Sequence, residues 1–304
     1  MAEQTTIGFI GIGSMGKPMA QRLHDAGYGL IVMDANPTVA ESFAASVGGA
    51  SVTRGSELAA QCDVIITMLP TSAIVESVLL GEDGVISALR PGASVLEMSS
   101  GVPSKTLEFA KAFDAAGGAL LDAPVSGGVP RAITGELAIM VGGEEAQVQK
   151  HRPILECMGS SIMHVGKAGS AHAMKALNNL VSAGGFLIGI EALMMGKRFG
   201  LDPDLMVDVL NSSTGMNNST QKKFKQYVLS RQFNSGFGLD LMVKDLTIAL
   251  GIAEDTAAPA PFSSLCRELW ASAAGLLGPG QDHTAVAKLV EALNQTELKS
   301  GQTD

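Results

Sequence analysis

Thr6-Ile7-Gly8-Phe9-Ile10-Gly11-Ile12-Gly13-Ser14-Met15-Gly16 decides the fold. Thr6–Ile10 is a short apolar run with strand character, and Lys17–Ala26 after it has helical periodicity. Between them the glycines stand at GxGxxG spacing. In that context Gly11 makes the tight turn, Gly13 lets the backbone approach a pyrophosphate, and Gly16 permits close helix–strand packing. The following helix offers its unpaired N–H groups and positive dipole end to the phosphates. Gly11, Ile12, Gly13, Ser14, Met15 and Gly16 are therefore expected to cradle a dinucleotide.

A second strand candidate, Leu30–Asp34, ends in an acid. A carboxylate there accepts hydrogen bonds from the adenosine ribose hydroxyls and repels a 2′-phosphate. No arginine follows in Asp34-Ala35-Asn36-Pro37, so NAD is expected rather than NADP.

Further strand candidates are Asp63–Leu69, Ser94–Met98 and Ala119–Val125, separated by helical segments such as Thr38–Val47 and Ser104–Ala116. Such alternation predicts a doubly wound, mostly parallel sheet covered on both faces. Leu137–Val141 and Ser161–Val165 add two short strands. Beyond Gly169 the reading is helical: Ser170–Phe199, Pro203–Leu210, Gln221–Ser230, Leu241–Glu254, Pro261–Ala274 and Thr284–Leu293. The division expected is residues 1–167 as a cofactor domain and 168–304 as an all-helical substrate and oligomerisation domain. A long helix over about 170–199 joins them. Gly184, Gly185 and Gly189 allow that helix close neighbours, and the tail from Leu298 is expected to fray.

The 304 residues carry 46% hydrophobic and 17% charged side chains, a composition that folds into a globular protein. A net charge of −9 without a basic run gives no support to a nucleic-acid or anionic-membrane partner. Cys62, Cys157 and Cys266 are too far apart for a metal or redox motif, so reduced thiols and no catalytic metal are expected. The first residues lack a secretory pattern, and the apolar stretch Ala176–Ile190 is too short and too polar to span a bilayer. A cytoplasmic enzyme is the expectation.

Three segments carry candidate chemistry. Lys175 is the only charge between Lys167 and Glu191, on apolar helix surroundings. Desolvation brings a lysine toward the range useful for proton transfer. Asn179 follows one turn later on the same face and can orient a hydroxyl. A snorkelling lysine beside a packing asparagine reads the same residues. Lys244-Asp245 is either a ligand-facing cation or a surface ion pair. Ser126-Gly127-Gly128, after a presumed last parallel strand, offers a hydroxyl and N–H groups suited to a carboxylate, or is a plain turn.

Taken together, four blocks resemble the β-hydroxyacid dehydrogenase family: Gly8–Gly16, Asp122–Gly128, Gly169 through Lys175 to Asn179, and Lys244-Asp245-Leu246. The resemblance spans about residues 6–295. It implies an N-terminal Rossmann domain and an all-helical C-terminal domain joined by a long interdomain helix. It further implies that Lys175 is the general acid/base and that Asn179 holds the substrate beside it. Ser126, Gly127 and Gly128 would grip the substrate carboxylate, Lys244 would reach cofactor and pocket, and Met68, Leu69 and Pro70 would line the cofactor site.

Two stretches depart from the family pattern. Ser99-Ser100-Gly101-Val102-Pro103 replaces the usual Ser-Thr-Ile before proline, although Ser100 still supplies a hydroxyl. The loop Asn211–Asn218 lacks the aromatic often present, and Arg131 adds a cation expected to face solvent.

The first reading is thus an NAD-dependent dehydrogenase of a small 3-hydroxy acid, 3-hydroxyisobutyrate-like, forming a semialdehyde. The alternative is a tartronate semialdehyde reductase or L-threonate-type dehydrogenase. A non-catalytic NAD-binding module is disfavoured by Lys175 and Asn179, and imine reduction by Lys175. The resemblance favours a homodimer or homotetramer.

Overall fold

The computed structural model describes residues 5–301. Two compact units emerge, Met1–Lys175 and Ala176–Asp304.

Among the described residues the first unit contains nine strands: β1 (Thr6–Ile10), β2 (Gly29–Met33), β3 (Ala50–Ser51), β4 (Val64–Thr67), β5 (Ser94–Glu97), β6 (Ala119–Asp122), β7 (Val125–Ser126), β8 (Leu137–Gly142) and β9 (Gly159–Gly166). Interleaved are α1 (Gly16–Asp25), α2 (Pro37–Val47), α3 (Gly55–Ala59), α4 (Ser72–Leu80), α5 (Pro103–Ala115), α6 (Gly128–Thr134) and α7 (Glu145–Met158). The sheet order is β3-β2-β1-β4-β5-β6-β8-β7, with β9 beside β8. Strands β1 to β6 pair in parallel, as crossover helices demand.

Strand alternation divides the core between the two sheet faces. Ile7, Phe9, Val32, Ile66 and Leu96 pack on one side with α1, α2 and α7. Ile10, Ile31, Ile65 and Val95 pack on the other with α3, α4 and α5. Both faces being covered explains why strands such as Val64–Thr67 are continuously buried.

The stretch expected as one strand, Ala119–Val125, is two. β6 ends at Asp122, and β7 pairs antiparallel with β8 from Val125. Pro124 between them has no N–H to donate to a ladder, although its carbonyl accepts from the Met140 N–H.

The second unit is helical, as expected. α8 runs Ser170–Phe199, beginning in the first unit, and is followed by α9 (Pro203–Asn211), α10 (Asn218–Lys222), α11 (Leu239–Asp255), α12 (Pro261–Leu277) and α13 (Ala287–Asn294). The contact division at Lys175 falls inside α8, whose start is held by Asp122 and, through His172, by Glu97. By length and hydropathy α8 is long and apolar enough to cross a membrane. More than half of its most apolar window is buried, however, and Phe186, Ile190 and Leu193 form the core of the helical unit.

Two helical expectations need correction. Gln221–Ser230 is not one α-helix. An Asn217 capping box starts the short α10, which ends at Lys222 with Lys223 as its C-cap, and Phe224–Leu229 is a π-helix. The wider turn sets Phe224 against Gly189 of α8, where any Cβ would lie 2.5 Å from the ring. The expected Thr284–Leu293 begins as a 3-10 turn, His283–Val286, before α13.

Nor does the tail fray at Leu298. Leu298 is fully buried, its N–H donates to Glu291 Oε1 at 2.8 Å, and its carbonyl accepts from Arg231. Residues 1–4 and 302–304 lie outside the described residues.

Candidate active site

The glycine turn has the geometry its spacing predicts. Gly11 adopts φ +99°, and a Cβ there would meet the Met68 carbonyl at 2.3 Å. A Cβ on Gly16 would lie 1.8 Å from the Gly11 carbonyl. Gly13, in contrast, has nothing within 4 Å. Two glycines are thus required by packing and one leaves open space, which is the shape a pyrophosphate needs.

Asp34 stands immediately after β2. Its Oδ2 accepts the Ile12 N–H at 2.8 Å and its Oδ1 the Asn36 N–H at 2.9 Å. The carboxylate is thereby fixed beside the turn, partly exposed. A cleft of about 730 Å³ opens here, lined by Ile12, Gly13, Ser14, Lys17, Asp34 and Val39 among others. Met15 is half-buried at the head of α1. Across the strand ends, the Leu69 N–H donates to Ser99 Oγ and the Val102 N–H to Ser72 Oγ, both at 2.8 Å. The first bond ties the Met68-Leu69-Pro70 segment, and the second the start of α4, to the Ser99–Val102 loop that carries Ser100. The residues present therefore fit a dinucleotide.

Sequence reasoning missed a buried polar network at the β5 and β6 ends. Glu97 Oε1 accepts the Ser99 N–H at 3.0 Å, and Oε2 lies 2.9 Å from His172 Nε2. His172 Nδ1 reaches Thr106 Oγ1 at 2.7 Å. Burial alone would raise the Glu97 pKa, but His172 and Ser99 hold it below the usual carboxylate value. Burial would lower that of His172, but Glu97 carries it above the usual imidazole value. The clues were an acid ending an apolar strand and a histidine one turn before Lys175.

Asp122, also fully buried, accepts N–H bonds from Gly169, Ala171 and His172 at 2.8–2.9 Å. It satisfies the first-turn donors of α8 and fixes the helix start. Lys175, the sixth residue of that helix, is 8% exposed.

Ser126 is half-buried at the end of β7, and Gly127 and Gly128 follow with φ of +135° and +69°. Arg131 faces solvent as expected, and its stem lies against Gly127.

In the helical unit, the buried Asn179 side chain donates to Asp245 Oδ2 at 2.6 Å. Lys244 Nζ lies 3.5 Å from Asp245 Oδ1. Asn179, Lys244 and Asp245 are thus brought together, and the expected alternative of a surface ion pair does not hold, because Asp245 is buried. The loop Asn211–Asn218 is pinned where Asn217 caps α10 and reaches the Gly185 carbonyl at 3.5 Å.

Residues 6–166 match the family described as the NAD binding domain of 6-phosphogluconate dehydrogenase. Residues 169–290 match the family described as NAD-binding of NADP-dependent 3-hydroxyisobutyrate dehydrogenase. The chain is 35% identical to 2-(hydroxymethyl)glutarate dehydrogenase of Eubacterium barkeri, over 99% of this chain and 100% of that one. The mitochondrial 3-hydroxyisobutyrate dehydrogenase of Mus musculus is 37% identical over 89% of this chain and 82% of its own. Among solved structures, a Mycobacterium tuberculosis 3-hydroxyisobutyrate dehydrogenase with L-serine superposes with a TM-score of 0.87 at 34% identity, covering 94% of this chain and 99% of that one.

The chain belongs to the β-hydroxyacid dehydrogenase family. It is an NAD-dependent oxidoreductase acting on the CH–OH group of hydroxy acids.

Proposed function

We propose that this dehydrogenase oxidises a small 3-hydroxy acid of the 3-hydroxyisobutyrate type to its semialdehyde. The observation that carries the reading is Lys175, buried on a helix whose first turn Asp122 caps. Relatives named for 3-hydroxyisobutyrate and for 2-(hydroxymethyl)glutarate support it, since both molecules carry a hydroxymethyl group next to a carboxylate-bearing carbon.

When bound, NAD supplies the hydride acceptor, C4 of its nicotinamide. Gly11–Gly16 and Asp34 hold its adenosine and pyrophosphate, and Met68, Leu69, Pro70, Ser100 and Lys244 line the remainder. Lys175 Nζ takes the hydroxyl proton during oxidation and returns it during reduction. Asn179, itself oriented by Asp245, holds the substrate oxygen. Ser126, Gly127 and Gly128 grip the carboxylate. The first unit is the cofactor domain, and the helical unit serves substrate binding and oligomerisation.

Asp34 supports NAD over NADP, because its carboxylate is anchored beside the glycine turn at the end of β2, and a charge in that position repels a 2′-phosphate. Val181, Ile188 and Met195 recur every seventh residue on α8 and are more than half exposed, which supports pairing with a second copy as a homodimer or homotetramer. Three unpaired thiols suit a reducing, cytoplasmic setting.

Initial rates with 3-hydroxyisobutyrate, glycerate, threonate, serine and 2-(hydroxymethyl)glutarate, each with NAD and NADP, test the reading. Highest kcat/KM on a hydroxymethyl acid with NAD is expected. Preference for threonate or glycerate, or for NADP, contradicts it.

A further inference from the structure

Lys223 is a half-buried cation without a dedicated counter-charge. Its Nζ donates to Ser182 Oγ at 3.3 Å and lies 5.9 Å from the centre of the Phe186 ring. Among the described residues no carboxylate comes within ion-pairing distance of it. Asp282 is the acid whose charge it feels, and that carboxylate is committed elsewhere. It accepts from Ser235 Oγ at 3.0 Å, the Gly236 N–H at 2.8 Å, and the N–H and hydroxyl of Thr284 at 2.9 and 2.5 Å. His283, packed against Phe186, brings no charge either, since burial and Lys223 push its pKa down to about 4. Burial likewise brings that of Lys223 down to about 8, with Asp282 acting in the other direction.

The backbone places this lysine with care. Lys223 is the junction between the capped α10 and the π-helix Phe224–Leu229, a rare conformation concentrated at functional sites. Its partner Ser182 lies three residues beyond Asn179 on α8, about 4.5 Å further along the helix axis and close to the same face. Holding a half-buried ammonium against a hydroxyl and a ring face, with much of its water shell lost, costs stability unless an anion completes the site.

We infer that Lys223 and Ser182 form a subsite for a second carboxylate on the substrate, so that the preferred substrates are hydroxymethyl dicarboxylic acids. The inference rests on the hydroxy-acid reading above and names the substrate class within it.

The test compares 2-(hydroxymethyl)glutarate, with two carboxylates, against 3-hydroxyisobutyrate, with one, at saturating NAD. In the wild type the ratio of their kcat/KM values exceeds about tenfold, as one charge-assisted hydrogen bond allows. Lys223→Gln lowers that ratio at least about tenfold, through KM of the dicarboxylate, whereas Lys223→Arg keeps most of it. An unchanged ratio in Lys223→Gln, or a wild type that favours the monocarboxylate, overturns the inference while leaving the hydroxy-acid reading intact. Absence of NAD reduction with either compound defeats that reading instead. Calorimetry of glutarate on the NAD-loaded protein then decides the subsite. Binding weakened about tenfold or more in Lys223→Gln supports it, and equal or absent binding overturns it.

Discussion

Glu97 and His172 form a buried ion pair, 2.9 Å from Oε2 to Nε2, with both side chains at most 2% exposed. The hydrogen bonds around the ring define its charge. Thr106 Oγ1 donates to the Val102 carbonyl, which leaves it to accept from His172 Nδ1. Nε2 faces two acceptors, the Glu97 carboxylate and the Ser99 carbonyl at 3.0 Å. Both ring nitrogens therefore carry protons, and the pair joins the end of β5 to the helix turn before Lys175.

The stability consequence has a definite sign. The Glu97 pKa is lowered on folding, so its contribution is present above its unfolded value and lost as pH falls through the folded one. That of His172 is raised, so its contribution is full below about 6.5 and lost as pH rises through the folded value. The wild type should lose more thermal stability than a His172→Gln variant as pH rises above about 6.5. Glu97→Ala, which leaves a buried imidazolium unpaired, should cost about 3 kcal/mol or more in chemical denaturation. Parallel pH profiles for wild type and His172→Gln would argue that the ring is neutral.

The three glycines of the turn should separate folding from cofactor binding. Gly11→Ala and Gly16→Ala force a Cβ into backbone atoms, so loss of soluble folded protein is expected. Gly13→Ala meets nothing within 4 Å and should melt within a few degrees of wild type, yet raise Kd for NAD about tenfold or more. Isothermal titration with a melting curve checks both. Unaltered NAD affinity in Gly13→Ala would place the pyrophosphate elsewhere.

The apolar stripe on α8 predicts self-association. Light scattering at micromolar concentration should find a dimer or larger, and Ile188→Asp should shift it toward monomer. A monomeric wild type would leave the stripe unexplained by self-pairing.

Much of this architecture was legible in the chain. Thr6–Ile10 is a short apolar run closed by the glycine turn, and helical periodicity follows it, so β1 and α1 emerge from run length, period and punctuation. Ser170–Phe199 is a helix with the bounds its composition suggests. What escaped had physical causes. β3 is two residues long, and α7 contains Pro153, which reads as a breaker although it only interrupts one hydrogen bond. The π-helix depends on Phe224 filling the space at Gly189, a tertiary contact without local signature. The site was half visible. Lys175 and Asn179 stand out on an apolar helix, whereas their supports, Asp122, Glu97 and Asp245, are remote in sequence and are defined only by folding.

The most direct measurement is the NAD reduction rate of a Lys175→Ala variant at 340 nm with a hydroxymethyl acid substrate, alongside its NAD affinity. NAD binding within about twofold of wild type and kcat reduced by about 10²–10⁴ are expected, as loss of a general acid/base requires. A kcat close to wild type would contradict the assignment of Lys175 and, with it, the proposed chemistry of the site.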